Sequence, residues 1–207
     1  MNIAITGGMG SGKTMVSQAF CEMLKGTLLS ADHVCRDLLS VGCKGWVGLK
    51  KIAPAECFLA DGEIDRPVLR KVIFADESFR KQVDDVLHPM VRKKLQYLCN
   101  KKEVDSSPFV VEVPLLYEKG WQDDFDCTVV VYASEEVCVT RVMQRDSVTR
   151  ADAVTAIASQ IPLEQKIELA DYVVNNSASF AETIEQLEHL VENQAFSRKE
   201  CRSTKKT

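Results

Sequence analysis

The chain has 207 residues, of which 45% are apolar and 27% charged, and its formal net charge is −4. That length fits one domain of ordinary size, with room for an inserted subdomain, and the apolar share supports a sizeable core. The negative balance offers no basic field for a nucleic-acid backbone, so nucleic acid is not a favoured partner.

No stretch reads as a signal peptide or a membrane span, which points to a cytoplasmic protein with no membrane partner. The eight cysteines stand at 21, 35, 43, 57, 99, 127, 138 and 201, with no C-x-x-C pair. They read as reduced, mostly buried thiols, and the missing paired spacing argues against structural zinc.

Ile3, Ala4 and Ile5 form a short apolar run that suits a buried strand. A loop rich in glycine follows, with Gly7, Gly8, Gly10 and Gly12 leading into Lys13 and Thr14. Residues 7–14 match G-x-x-x-x-G-K-[ST], a phosphate-binding loop. Such a loop must bring backbone N–H groups against phosphate oxygens, which side chains would block. Val16, Phe20, Met23 and Leu24 then mark one face of a helix, whose N-terminus adds unsatisfied donors and a positive dipole end. Lys13 can reach the β- and γ-phosphates, and the Thr14 hydroxyl can ligate Mg²⁺.

Thr27 to Ser30 reads as a second strand, which puts Asp32 just past its carboxyl end. Ligands bind at that edge of a parallel sheet, so Asp32 is a candidate general base for an acceptor hydroxyl. It reads equally as the N-cap of a helix over 33–39. From Ser40 to Asn100 the apolar spacing is helical. Leu69, Val72 and Ile73 mark one helix, with Asp65 as its cap. Phe79, Val83, Val86 and Leu87 mark another, and Val91, Leu95 and Leu98 a third beyond a break at Pro89. This is an insertion of roughly 50–60 residues, too long for a simple crossover. His88 falls at the break, where a histidine more often packs than reacts.

Lys101 to Pro108 reads as a loop, Phe109 to Val113 as a central strand, and Cys127 to Tyr132 as the clearest strand of the chain. Glu112 stands where an acid can reach a bound metal through water, though a solvated or capping carboxylate is the plainer reading. Glu118 lies just beyond the end of the Phe109 to Val113 strand. Ser134 can cap the next helix, on which Arg141 and Arg145 share a face, and Arg150 follows. Basic residues here suit a lid that covers a nucleotide and neutralises transferring charge. Helices over 151–160 and 164–170, a strand at 171–174 and a last helix opened by Ser179 and Glu182 complete the pattern. The basic tail at 197–207 shows no apolar pattern and is expected to be disordered. No D-x-x-G segment occurs, which argues against a GTP-driven switch.

Alternating strand and helix signals predict an α/β fold, a parallel sheet flanked by helices. The chain also resembles the dephospho-CoA kinase family. The match is carried by TGGMGSGKT at 6–14, Ser30-Ala31-Asp32, Arg70 with Ile73-Phe74, and His88-Pro89. It continues in Val113 to Glu118, Arg141 and Arg145 with Asp146, Gln160 to Lys166, and Ala170 to Asn176. The resemblance implies a P-loop kinase-like domain over 1–196: a core at 1–34, 101–140 and 168–196, a helical substrate-binding insertion at 35–100, and a lid at 141–167. It implies ATP and dephospho-CoA as substrates, Mg²⁺ as cofactor, and transfer to the ribose 3′-hydroxyl, the last step of coenzyme A biosynthesis. Asp32, Lys13 and Arg141 would be catalytic. Gly8, Gly10, Ser11, Gly12, Lys13, Thr14, Met15, Arg145 and Asn176 would contact ATP, Asn176 rather than Asn175 lying beside adenine. Asp32, Arg70, His88 and Glu118 would meet dephospho-CoA, and Thr14 the metal. An adenylate- or shikimate-type kinase would share the loop and the fold.

Overall fold

The computed structural model describes residues 1–101 and 107–193. The expected tail at 197–207, Cys201, and most of the expected 101–108 loop lie outside the described residues. The chain divides into two compact units. One holds Met1–Ser30 and the described part of Lys102–Thr207, and the other is Ala31–Lys101.

The first unit is built on β1 (Asn2–Gly7), β2 (Thr27–Ser30), β3 (Phe109–Glu112), β4 (Cys127–Tyr132) and β5 (Tyr172–Asn175). They form one sheet in the order β2-β3-β1-β4-β5, with every pair parallel. Ile3, Ile5, Val110, Val129 and Val131 are fully buried. A strand covered by helices on both faces needs apolar residues at successive positions, which is why Cys127–Tyr132 reads so clearly. The helices of this unit are α1 (Lys13–Met23), α6 (Glu135–Asp146), α7 (Arg150–Ala158), α8 (Leu163–Leu169) and α9 (Phe180–Glu192). Ser179 and Glu182 close a capping box at α9, as their spacing predicts. Ser134 stands at the N-cap of α6 without a side-chain capping bond.

Both outer strands are four residues long. At β5 the Gln186 amide bonds the free edge: the Asn175 N–H donates to its Oε1 at 2.8 Å, and its Nε2 donates to the Asn175 carbonyl at 2.9 Å. Asp171, just before β5, accepts from the Thr128 N–H and hydroxyl, both at 2.7 Å.

The second unit comprises α2 (Ala31–Leu38), α3 (Lys44–Lys50), α4 (Arg66–Ala75) and α5 (Glu77–Asn100). Asp65 caps α4 by accepting from the Val68 N–H at 3.1 Å. Two expectations are corrected here. Helix α2 begins at Ala31, so Asp32 occupies its first turn and not its cap. Pro89 does not end a helix, because α5 runs through it for 24 residues. Phe79, Val83, Leu87, Val91 and Leu95 recur every four residues across the proline, and all are buried. Burying five large side chains offsets the roughly 3 kcal/mol that an interior proline costs.

The seven described cysteines are free, with Cys21, Cys57, Cys127 and Cys138 buried and Cys43 exposed. Among the described residues no helix is long and apolar enough to cross a membrane.

Candidate active site

Strand β1 lies between β3 and β4, and the chain leaves β1 toward one edge and β4 toward the other. The carboxyl ends of two such neighbours open a crevice, the usual ligand site of an open parallel sheet. The glycine-rich loop fills this place after β1. Gly10 and Gly12 have φ of 81° and 87°, which side chains resist. At Gly10 a Cβ would also fall 2.5 Å from the Cys138 carbonyl oxygen, so α6 presses directly on the loop.

The loop is tied from three sides. Arg141 Nη1 donates to the carbonyls of Gly10 and Ser11, each at 3.4 Å, and its Nη2 to the carbonyl of Asn176 at 3.1 Å. Asn176 Nδ2 donates to the Ser11 carbonyl at 2.8 Å, while its Oδ1 accepts from Thr183 at 3.0 Å. The Met9 N–H donates to Gln160 Oε1 at 3.0 Å. Lys13 Nζ donates to the Gly8 carbonyl at 2.8 Å.

A cavity of about 280 Å³ opens over the loop, lined by Gly10, Gly12, Lys13, Thr14, Met15, Arg141 and Arg145. The structure thus gathers most of the residues expected at ATP and adds Arg141 to them. Three others sit elsewhere. Gly8 borders a neighbouring cavity of about 290 Å³ with Cys138, Gln160 and Leu163. Ser11 is fully buried, and Asn176 is 4% exposed with its amide engaged at both ends. Arg145 lines the mouth and forms a two-pronged pair with Asp146, both bonds 2.8 Å. Arg150 pairs with Glu136 on the surface, and its guanidinium holds that carboxyl below the usual range.

Thr14 donates its hydroxyl to Glu112 Oε1 at 2.9 Å, and Glu112 is 8% exposed. A hydroxyl beside a carboxylate is a hard-oxygen donor pair of the kind magnesium takes. Among the described residues no group of three or more His, Cys, Asp and Glu could hold an ion alone. That fits a metal whose remaining ligands come from phosphate and water.

Glu118 carries a second buried arrangement. Lys166, fully buried, lies 2.7 Å from Glu118 Oε1 and donates to the Pro114 carbonyl at 3.4 Å. The same Oε1 accepts from the Ile161 N–H at 3.2 Å. Lys166 therefore anchors the turn carrying Gln160, which in turn holds Met9. Sequence reasoning gave neither Lys166 nor Gln160 a role: a lysine in a short helix reads as solvent-facing, and only its place in the Gln160–Lys166 segment marks it.

In the helical unit, Asp32 lies in the first turn of α2 and Arg70 on α4. His88 Nε2 lies 3.6 Å from Asp84 Oδ1, one turn earlier on α5.

The dephospho-CoA kinase family model matches residues 1–182. A dephospho-CoA kinase of Desulfotalea psychrophila is 38% identical over 187 residues, covering 90% of this chain and 94% of its own length. A crystal structure from Thermus thermophilus superposes with a TM-score of 0.77 at 29% identity, over 93% of this chain and 97% of that one. A dephospho-CoA kinase from Campylobacter jejuni shares the fold, with a TM-score of 0.67 at 22% identity, over 93% of this chain and 96% of its own. With the phosphate loop, its arginine and the whole sheet accounted for, the chain belongs to the dephospho-CoA kinase family.

Proposed function

We propose that the protein transfers the γ-phosphoryl group of ATP to the ribose 3′-hydroxyl of dephospho-CoA, giving coenzyme A and ADP. The observation that carries this reading is the cavity lined by Lys13, Thr14, Arg141 and Arg145, in a chain whose residues 1–182 match that family. Phosphoryl transfer asks the protein mainly for positioning and charge stabilisation. The loop amides and the N-terminus of α1 receive the phosphates. Lys13 and Arg141 lower the energy of charge spreading over the transferring oxygens. Arg141 is held in place by the loop carbonyls it bonds, so its charge needs no rearrangement.

Thr14 and Glu112 would hold magnesium, which when bound neutralises phosphate charge. Asp32 orients the 3′-hydroxyl and takes its proton as the new oxygen–phosphorus bond forms and the bond to ADP breaks. Its place two residues past β2 supports this role. Arg70 and His88 serve the acceptor, and Glu118 acts by positioning the Ile161 turn. The acceptor role given to Glu118 by resemblance thus becomes an indirect one.

The test is mass spectrometry of the product after incubation with Mg-ATP and dephospho-CoA, with AMP and shikimate as parallel acceptors. The expected result is one added phosphate on dephospho-CoA. Phosphorylation of AMP or shikimate in its stead would overturn the reading.

A further inference from the structure

The Gly8–Met9 peptide is gripped at both ends. Its carbonyl accepts from Lys13 Nζ at 2.8 Å and from the Ser11 N–H at 3.3 Å. Its N–H donates to Gln160 Oε1 at 3.0 Å. The C=O and N–H of a peptide share one plane and point opposite ways, so an acceptor on the N–H side sets the direction of the carbonyl. Packing alone does not set it. Gly8 has no side chain, and Gly8 and Met9 both border the cavity of about 290 Å³, which leaves open space on one side of the peptide.

Three residues of one short segment converge here. Gln160 takes the N–H. A Cβ at Gly8 would lie 3.5 Å from Leu163 Cδ2, so the first turn of α8 rests beside the peptide. Lys166, fully buried, pairs with Glu118, whose Oε1 also holds the Ile161 N–H. The residue that presents the acceptor is thus next in sequence to one fixed by a buried ion pair. Arg141 and Asn176 hold a different part of the loop, the carbonyls of Gly10 and Ser11. Gln160 therefore serves the part that seats the lysine, and Arg141 and Asn176 the part that leads into α1.

We propose that Gln160 is a positioning residue for phosphoryl transfer: through the Gly8–Met9 peptide it fixes the carbonyl on which the Lys13 ammonium rests. The proposal rests on the reading of Lys13 as the cation that meets the transferring phosphoryl group. A lysine is a point charge on a flexible four-carbon stem, and its charge counts most where negative charge develops in the transition state. Misplacing it costs the transition state more than bound ATP, whose phosphates also meet the loop amides and the N-terminus of α1. A loss confined to the transition state lowers kcat and leaves KM nearly unchanged.

Steady-state kinetics of Gln160→Met and Gln160→Glu with Mg-ATP and dephospho-CoA test this. Methionine keeps the length of the side chain and removes the acceptor, whereas glutamate keeps both. Gln160→Met is expected to lower kcat at least tenfold, with KM for ATP and for dephospho-CoA each within threefold of wild type. Gln160→Glu is expected to hold kcat within threefold of wild type. A Gln160→Met variant that loses less than threefold in kcat overturns the proposal. So does a glutamate variant as slow as the methionine one, or a KM for ATP that rises as much as kcat falls, which a general loosening of the loop would give. A wild-type protein inactive on dephospho-CoA would overturn the functional reading itself, and this role with it.

Discussion

Replacing Lys166 by Met should destabilise the core unit far more than a surface lysine would. The side chain is fully buried, and its partner Glu118 is only 15% exposed. Glu118 Oε1 would keep one donor, the Ile161 N–H, and its Oε2 is buried with no hydrogen-bond partner among the described residues. Removing one member of a buried ion pair leaves an uncompensated charge, at a cost of about 3–5 kcal/mol. For a protein of this size each kcal/mol lowers Tm by about 2–4 °C, so a fall of roughly 6–20 °C is expected. The double variant Lys166→Met/Glu118→Leu removes both charges and should recover much of that loss. Urea unfolding followed by Trp121 fluorescence, in a Trp46→Phe background, reports on this unit, because Trp121 is buried there and Trp46 belongs to the other. A Lys166→Met variant within 1 kcal/mol of its parent, a cost typical of surface changes, would refute the reasoning. So would a double variant no more stable than the single one.

Gly10→Ala combines a strained φ with a clash against the Cys138 backbone, and should weaken ATP binding at least tenfold by calorimetry, without affecting the helical unit. Asp32→Asn should lower kcat by a factor of about 10²–10⁴, the usual contribution of a general base, with modest change in ATP affinity; near-normal turnover would remove Asp32 from that role. Tyr117 is buried, and burial pushes its phenol pKa up to about 12 from 10.0. The fold therefore favours the neutral phenol, and this contribution is complete below pH 10 and lost as pH rises toward 12. The difference between the alkaline absorbance titrations of wild type and Tyr117→Phe should centre near 12; a midpoint near 10 would contradict the burial argument.

The central strands and the phosphate loop were legible because their physics is local. A strand buried on both faces must be apolar at successive positions, as Cys127–Tyr132 is, and an anion cradle must be glycine-rich. The capping box at Ser179 is likewise contained in four residues. What stayed hidden depends on partners far along the chain. Pro89 looked like a break because a proline costs a helix the same everywhere, whereas the burial that overrides it comes from tertiary packing. Lys166 finds Glu118 from 48 positions away in sequence, and no local periodicity marks it as a buried cation. Asn176 stands beside adenine only by resemblance, and no local pattern foretells that its amide donates to the Ser11 carbonyl and accepts from the Thr183 hydroxyl. A cavity of about 540 Å³ joins Arg36 of α2 with Arg66 and Arg70 of α4, and neither helix suggests it by itself.

The side-chain amide of Gln186 gives the outermost strand a counterfeit neighbour. It supplies one acceptor and one donor at Asn175, much as a sixth strand would, yet it cannot continue the ladder. A stray chain seeking to extend the sheet meets a four-residue margin with one rung already taken. Self-association through that margin is thereby discouraged, at the cost of a single glutamine.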